Sequence, residues 1–204
     1  MFTVLKSLNR QQRSAVVASF LGWALDAFDF FLLTFVIADI AKEFSTGIPA
    51  VAEGIFLTLA MRPVGALIFG LLAERFGRKP VLMFDILFYS AMELATAFST
   101  SIEMLLVIRA LFGIGMGGEW GLGASLALET IPPAARGLVS GILQQGYAVG
   151  NLMAAVVFWT IYEYIGWRGM FVVGVAPALL VLYLRLSVEE SPVWEAARSQ
   201  RVNF

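Results

Sequence analysis

Six runs of about twenty apolar residues, joined by short loops, constrain this chain more than any other feature. A helix needs roughly 20 largely apolar residues to cross a bilayer. Such runs fall near 16–38, 53–73, 80–98, 103–126, 138–160 and 168–187. Residues that favour turns or break helices stand between them: Gly47-Ile48-Pro49, Gly77-Arg78-Lys79-Pro80, Pro132-Pro133 and Gly166. No connection is long enough to hold a soluble domain. Composition points the same way, with 59% of the 204 residues hydrophobic, 14% charged and a mean hydropathy of +0.82. A soluble domain carries about 25% charged residues. The expected class is an all-α membrane protein, with residues 1–187 forming a six-helix transmembrane domain and the lipid bilayer as its first partner.

Absences remove whole function classes. The chain has no Cys and no His, so disulfides, thiolate or imidazole zinc sites and Ser-His catalysis are excluded. No metal site, catalytic residue or cofactor is expected. A net charge of −1 leaves no positive excess to neutralise phosphates, which argues against nucleic acid as a partner. The basic N-terminus before an apolar stretch has the outline of a signal peptide. The apolar stretch is longer than the ~7–15 residues of a signal core and contains Asp26 and Asp29, so it reads as a retained first span.

Lys and Arg set the direction. Lys6, Arg10, Arg13, Arg75, Arg78, Lys79, Arg136, Arg185, Arg198 and Arg201 fall on one side, while Lys42 and Arg168 fall on the other. The heavily basic side is the cytoplasmic one, which places both termini in the cytoplasm of a multi-pass protein of the plasma (inner) membrane.

Charges inside the spans are the candidate functional groups. They are Asp26 and Asp29 in the first, Arg62 in the second, Asp85 and Glu93 in the third, and Arg109 and Glu119 in the fourth. Each costs about 2.5–3.5 kcal/mol at the bilayer centre even on a lenient scale, so each is expected to face a cavity or a partner. With ~1.5 Å of rise per residue, Asp29, Arg62 and Arg109 come out on one level, roughly 10–14 Å from the outer surface. Asp26 and Glu119 lie deeper toward the cytoplasm. A carboxylate in a low-dielectric cavity holds its proton more tightly, and an approaching guanidinium reverses this. That chemistry suits proton coupling, assigned to Asp26, Asp29, Glu119 and Arg109. Asp85, near the cytoplasmic end of its span, is expected to reach toward water, and Glu93 receives no role.

Two motifs mislead. Gly113-Ile-Gly115-Met-Gly117-Gly118 fits a dinucleotide fingerprint, but no strand precedes it and it lies in a membrane span. Gly113, Gly117 and Gly121, four apart, instead fit a face that admits a neighbouring helix at close range, as do Gly146 and Gly150. Gly123-Ala124-Ser125 hints at an intramembrane serine protease, which the absence of His rules out. The enzyme class fails. The fifth span offers Gln144, Gln145, Tyr147 and Asn151, of which Gln144, Gln145 and Asn151 are candidate substrate contacts. Their alternative use is hydrogen bonding between helices, worth about 0.6–2 kcal/mol each.

Gly70-Leu-Leu-Ala-Glu74-Arg75-Phe76-Gly77-Arg78-Lys79, between the second and third spans, resembles the signature cytoplasmic loop of the major facilitator superfamily. Arg109-x-x-x-Gly113-x-Gly115, Glu129-x-x-Pro132-x-x-x-Arg136-Gly137 and Glu190-Ser191-Pro192-Val193-Trp194 agree with it, although Glu189 stands where the last element usually has Pro. Gly22-Trp23-x-x-Asp26-x-Phe28-Asp29, Arg62-Pro63-x-Gly65-Ala66 and Gly117-Gly118-Glu119-Trp120-Gly121 are similar to the sialate/monocarboxylate (lactate-type) proton symporter branch.

The resemblance implies the six-transmembrane-helix N-terminal domain of the major facilitator fold, with 188–204 as the truncated start of the central cytoplasmic loop. It implies a secondary active transporter moving a small organic anion, such as a monocarboxylate, together with protons. Arg62 and Arg109 are the candidate cations for the substrate carboxylate. The fifth span lacks the Gly-Pro element typical of antiporters, which favours symport. Gly70, Glu74, Arg75, Gly77, Arg78, Lys79, Glu129, Arg136 and Glu190 are expected to form a cytoplasmic gate. Cargo of sugar, sialic acid or aromatic acid type, or a non-transporting remnant, stands as the alternative. A major facilitator needs a second six-helix half, and that half is the expected missing partner.

Overall fold

The computed structural model describes residues 8–186 and 189–202. Lys6, positions 187–188 and 203–204, and the side chains of Arg185 and Arg201 lie outside the described residues. Among the described residues six helices follow in order: α1 Arg10–Glu43, α2 Ile48–Phe76, α3 Arg78–Ala97, α4 Ile102–Thr130, α5 Pro133–Leu186 and α6 Pro192–Val202.

Local chemistry sets most helix starts. Asn9 and Gln12 close a capping box on α1: Gln12 N donates to Asn9 Oδ1 at 2.8 Å, and Asn9 N donates to Gln12 Oε1 at 2.9 Å. Pro49 stands in the first turn of α2, where its missing N–H would have no partner in any case. Ser101 caps α4, and Ser191 caps α6 by accepting from Trp194 N at 3.3 Å.

The helices α1, α2 and α4 run past the apolar windows that identify them. The fifth and sixth windows instead fall in one run, α5, which is broken only at Gly166. Its φ of 61° and ψ of −175° belong to backbone that only glycine adopts readily. The stretch before it, expected as a loop, keeps its helical ladder, so the turn is reduced to one residue. Residues 188–204, expected as a loop, contain α6.

Among the described residues, four stretches are long and apolar enough to cross a bilayer: Arg10–Glu43, Ile48–Phe76, Arg78–Ala97 and Pro133–Ala176. Phe56, Leu67, Phe84, Leu152 and Trp159 are left exposed on the outside, an apolar surface that suits lipid better than water. Inside, α1 packs chiefly on α5, α2 on α4, and α3 on both α4 and α5. The α2–α4 contact is backbone to backbone. A Cβ added at Gly113 would meet Thr58 O at 2.3 Å, and one at Gly117 would meet Arg62 O at 2.0 Å. Gly150 meets Ala24 O of α1 in the same way, at 2.0 Å. Gly121, expected on the same face, has nothing within 4 Å.

Candidate functional site

Five carboxylates and one guanidinium are withdrawn from solvent in the interior: Asp26, Asp29, Asp85, Glu93, Glu119 and Arg109 are each at most 1% exposed. The tightest contact among them joins α3 to α4. Arg109 Nη2 donates to Glu93 Oε2 at 2.6 Å and to Thr96 Oγ1 at 2.5 Å. Phe112 and Phe171 cover the Arg109 guanidinium, with centroids 4.3 and 5.2 Å from its Cζ. Glu93, given no role by sequence reasoning, is therefore the ion-pair partner of the most buried cation.

Asp29 completes this level. A Cβ built at Gly174, on the second arm of α5, would lie 3.0 Å from Asp29 Oδ1 and 3.4 Å from Glu93 Oε1. Both of those oxygens are buried and lack a hydrogen-bond partner. Two carboxyls thus converge over a glycine beside one guanidinium that already serves one of them. Glu93 acts on Asp29 electrostatically, and two like charges in a buried site disfavour ionising both. The chemistry the arrangement offers is a shared proton.

Arg62 does not join this level. Its helix begins at Ile48, earlier than the apolar window beginning at 53 suggests, so Arg62 lies ~21 Å along α2, while Arg109 lies only ~10 Å along α4. It sits with its Cζ 4.9 Å from the Trp120 ring and 5.3 Å from the Phe30 ring, and Nη2 approaches Met116 Sδ at 3.3 Å. Asp26 is the acid within its electrostatic reach, but among the described residues no carboxylate lies within ion-pair distance and Nε has no hydrogen-bond partner. Trp23 stacks on Trp120 at 5.0 Å, and Tyr147 meets Trp120 edge-on at 6.3 Å. Arg62 is half-buried, where Arg109 is sealed. Arg109, also expected to attract substrate, makes its ion pair inside the half through Nη2, while its Nε is buried without a hydrogen-bond partner among the described residues.

On α5, Gly146 and Gly150 face α1. With 100° of rotation per residue, Gln144 and Asn151 fall on the Tyr147 flank, beside Trp120. Gln145 is two residues from Tyr147, about 200° around the helix, and points away from it. All three are exposed.

Asp85 departs from its expectation. Instead of reaching toward water it is fully buried, because α4 presents glycines to it: Cβ atoms at Gly115 and Gly118 would come within 3.4 and 2.5 Å of its oxygens. Glu119 and Asp26 are the charges nearest to act on it.

At the Arg78 end some of the residues expected in a gate contact one another and others do not. Gly77, with φ 110°, turns the chain between α2 and α3, and a Cβ there would meet Glu190 Oε2 at 2.5 Å. Glu190 accepts from the free amides of α3, Arg78 N at 3.1 Å and Lys79 N at 3.1 Å, an N-terminal cap supplied by a distant segment. Arg78 pairs with Glu129 at 3.2 Å, Ser191 donates to Glu129, and Lys79 Nζ donates to Leu186 O at 3.0 Å. Trp194 Nε1 donates to Glu74 O at 3.0 Å, so Glu74 joins through its backbone. Arg75 only stacks on Phe76, and Arg136 is exposed; neither makes an ion pair among the described residues. Gly70, expected in the gate, meets nothing within 4 Å and lies in an open groove with Gly118, Gly121 and Ser125. Ser191 and Trp194, part of the Glu190–Trp194 motif but not of the expected gate, join this cluster, and Ser-Pro is itself a helix-start signal.

The opposite end has its own clamp, also missed. Arg168 Nη2 bonds Glu43 at 2.7 Å and Nη1 donates to Ala97 O at 2.6 Å. Trp167 Nε1 also donates to Glu43, at 2.5 Å.

Residues 15–202 match the family described as sugar (and other) transporter. The chain belongs to that family. It is 36% identical, over 93% of its length, to the sialic acid transporter NanX of Escherichia coli, of which it covers 47%. It is 34% identical, over 84% of its length, to the niacin transporter NiaP of Acinetobacter baylyi, of which it covers 39%. The inward-open xylose transporter XylE of E. coli superposes with a TM-score of 0.80 at 22% identity, over 90% of this chain and 49% of that one. The chain thus spans about half the length of the relatives it matches, and its fold is that of the N-terminal half of a major facilitator. The family is one of transporters, not enzymes.

Proposed function

We propose that this chain is the N-terminal half of a secondary active transporter in the plasma membrane that couples protons to the movement of a small organic acid. The observation that carries this reading is the unequal use of its two interior cations. Arg109 is neutralised by Glu93 and is placed to influence the proton shared by Glu93 and Asp29. Arg62 is held through its ring contacts and the field of Asp26, makes no carboxylate ion pair among the described residues, and is the cation we assign to the carboxylate of a substrate. Gln144 and Asn151, on the Tyr147 flank, supply neutral hydrogen-bonding groups to the same face. The names of relatives, sialic acid and niacin transporters among them, favour an acid over a neutral sugar. The second half needed to close a cavity is the partner this reading requires.

In this scheme a proton enters the Asp29–Glu93 level when the site opens outward and leaves when it opens inward, with Arg109 moving relative to the pair. Asp26 and Glu119 lie on the inner side of that level, and the Arg78–Glu129–Glu190 assembly latches the cytoplasmic end. The test is uptake of a labelled monocarboxylate by the whole transporter in proteoliposomes under an imposed pH gradient. Asp29→Asn is expected to abolish the response to the gradient while exchange of internal for external substrate continues. Gradient-driven uptake that persists undiminished in Asp29→Asn defeats the assignment.

A further inference from the structure

Asp85, Tyr89 and Glu93 follow one another on α3 at four-residue spacing, so they share one face at about 6 Å per step. None of the three is exposed. Glu93 is bonded to Arg109. Asp85 is at the other end, about 10 Å along the helix from Arg78 and the assembly around it. Both oxygens of Asp85, the hydroxyl of Tyr89 and Oε1 of Glu93 lack hydrogen-bond partners. Buried polar atoms are nearly always satisfied, and a column of four in line is not what packing alone would select.

The surroundings say what such a column can carry. Tyr89 lies within electrostatic reach of four acids: Asp26 and Asp29 from α1, Glu119 from α4 and Asp85 from its own helix. Asp85 faces Glu119 and Asp26, with no cation among the groups acting on it. Glu93 faces Arg109 and, across Gly174, Asp29. Among the described residues no three of these acids are placed to hold a metal ion. The cation that fits between carboxyls spaced along a buried helix face is the proton, and chains of acids inside transporters serve as proton relays.

We propose that Tyr89 and Asp85 are the inner limb of a proton path, carrying protons between the Asp29–Glu93 level and the Arg78 end of the bundle. This rests on the coupling scheme above and adds the route by which its proton departs. These groups make no hydrogen bonds to one another, so each transfer runs through a bridging water on either side: one water passes a proton from the Asp29–Glu93 level to Tyr89 Oη as the O–H proton of Tyr89 passes through the other to Asp85. The hydroxyl is neutral before and after, and Asp85 then releases one proton to water at the Arg78 end. Glycines at 115 and 118 of α4 make room for the carboxyl at this depth.

The experiment compares two rates for the whole transporter in proteoliposomes loaded with the same labelled monocarboxylate. One is uptake driven by a pH gradient, which needs net proton release inside; the other is counterflow, which does not. Asp85→Asn and Tyr89→Phe are expected to slow gradient-driven uptake about tenfold and counterflow no more than about twofold. Asp85→Glu is expected to restore most of the driven rate. Unchanged driven uptake in Asp85→Asn overturns the path. Equal loss of both rates, unrelieved by Asp85→Glu, makes Asp85 structural and overturns it as well. A wild-type protein indifferent to the gradient overturns the coupling scheme itself, and the path with it. Loss of coupling in Asp29→Asn, with Asp85→Asn normal, overturns the path alone.

Discussion

Among the described residues Arg109 and Arg62 both carry a guanidinium into the bundle, and the fold holds them in opposite ways. Arg109 is bonded at 2.6 Å to Glu93, and the side chains of the pair are 1% and 0% exposed. Arg62 lies against the faces of Trp120 and Phe30 and bonds no carboxylate. Desolvating a charge is tolerable when a partner is provided, and ring faces are a weaker provision than a carboxylate. A protein that needed both arginines only as fasteners would have paired both. On the proposed function, the difference separates a cation that holds and tunes from one left for substrate.

The largest effect expected from this difference is on stability. Glu93→Ala strands the Arg109 charge in a dry interior and should cost about 3–5 kcal/mol. Arg62→Ala removes only ring contacts of about 0.5–2 kcal/mol each. Thermal unfolding in a mild detergent measures both. Removing the pair together, as Glu93→Leu with Arg109→Met, should recover much of the stability, because well-packed apolar residues often replace a buried pair without loss. If Arg62→Ala proves as damaging as Glu93→Ala, the two arginines are alike and the comparison fails.

Binding should reverse the ranking. Charge-assisted hydrogen bonds to a carboxylate are worth about 1.5–3 kcal/mol, so Arg62→Ala should weaken substrate affinity roughly tenfold to a hundredfold. Arg62→Lys should recover only part of this, since an ammonium lacks the planar fork and stacks poorly on Trp120. Titration of the whole transporter with substrate, followed by Trp fluorescence, gives the affinities. Unchanged affinity in Arg62→Ala would leave the cation without the role its setting suggests.

Much of this site could be read in the sequence, and the limits have physical causes. Charges inside apolar runs mark themselves, because each must be compensated somewhere; hence Asp26, Asp29, Arg109 and Glu119 stood out. Their partners did not, since pairing depends on rotation and on where each helix begins. Arg62 was placed level with Asp29 because the apolar window begins at 53, while α2 begins at Ile48. Gly174, which lets Asp29 and Glu93 converge, looks like any small residue in a span until its neighbours are known. Asp85 was assigned to water by its distance along α3, and only the facing glycines of α4 reveal that it stays inside. The gate was legible as a motif, but the capping of α3 by Glu190 needed α6 in place. Gly166 was legible as a break and misleading as a loop, because one positive-φ residue was enough to turn the chain.

A third guanidinium calibrates the first two. Arg168 and Glu43 make the same contact as Arg109 and Glu93, 2.7 Å against 2.6 Å, but with side chains 37% and 45% exposed. Geometry is thus nearly constant while hydration changes, which isolates the effect of burial. Exposed pairs typically contribute about 0.2–1 kcal/mol, and salt weakens them. A double-mutant cycle through Glu43→Gln and Arg168→Gln should therefore return a coupling no larger than about 1 kcal/mol. It should shrink as salt is raised toward 1 M. The corresponding cycle at Glu93 and Arg109 should return severalfold more and hardly respond to salt, since ions do not reach it. Equal couplings at the two sites would mean that water reaches the Glu93–Arg109 pair. The sealed cation and the available one would then differ in neighbours but not in environment, and the division of labour drawn from them would no longer hold.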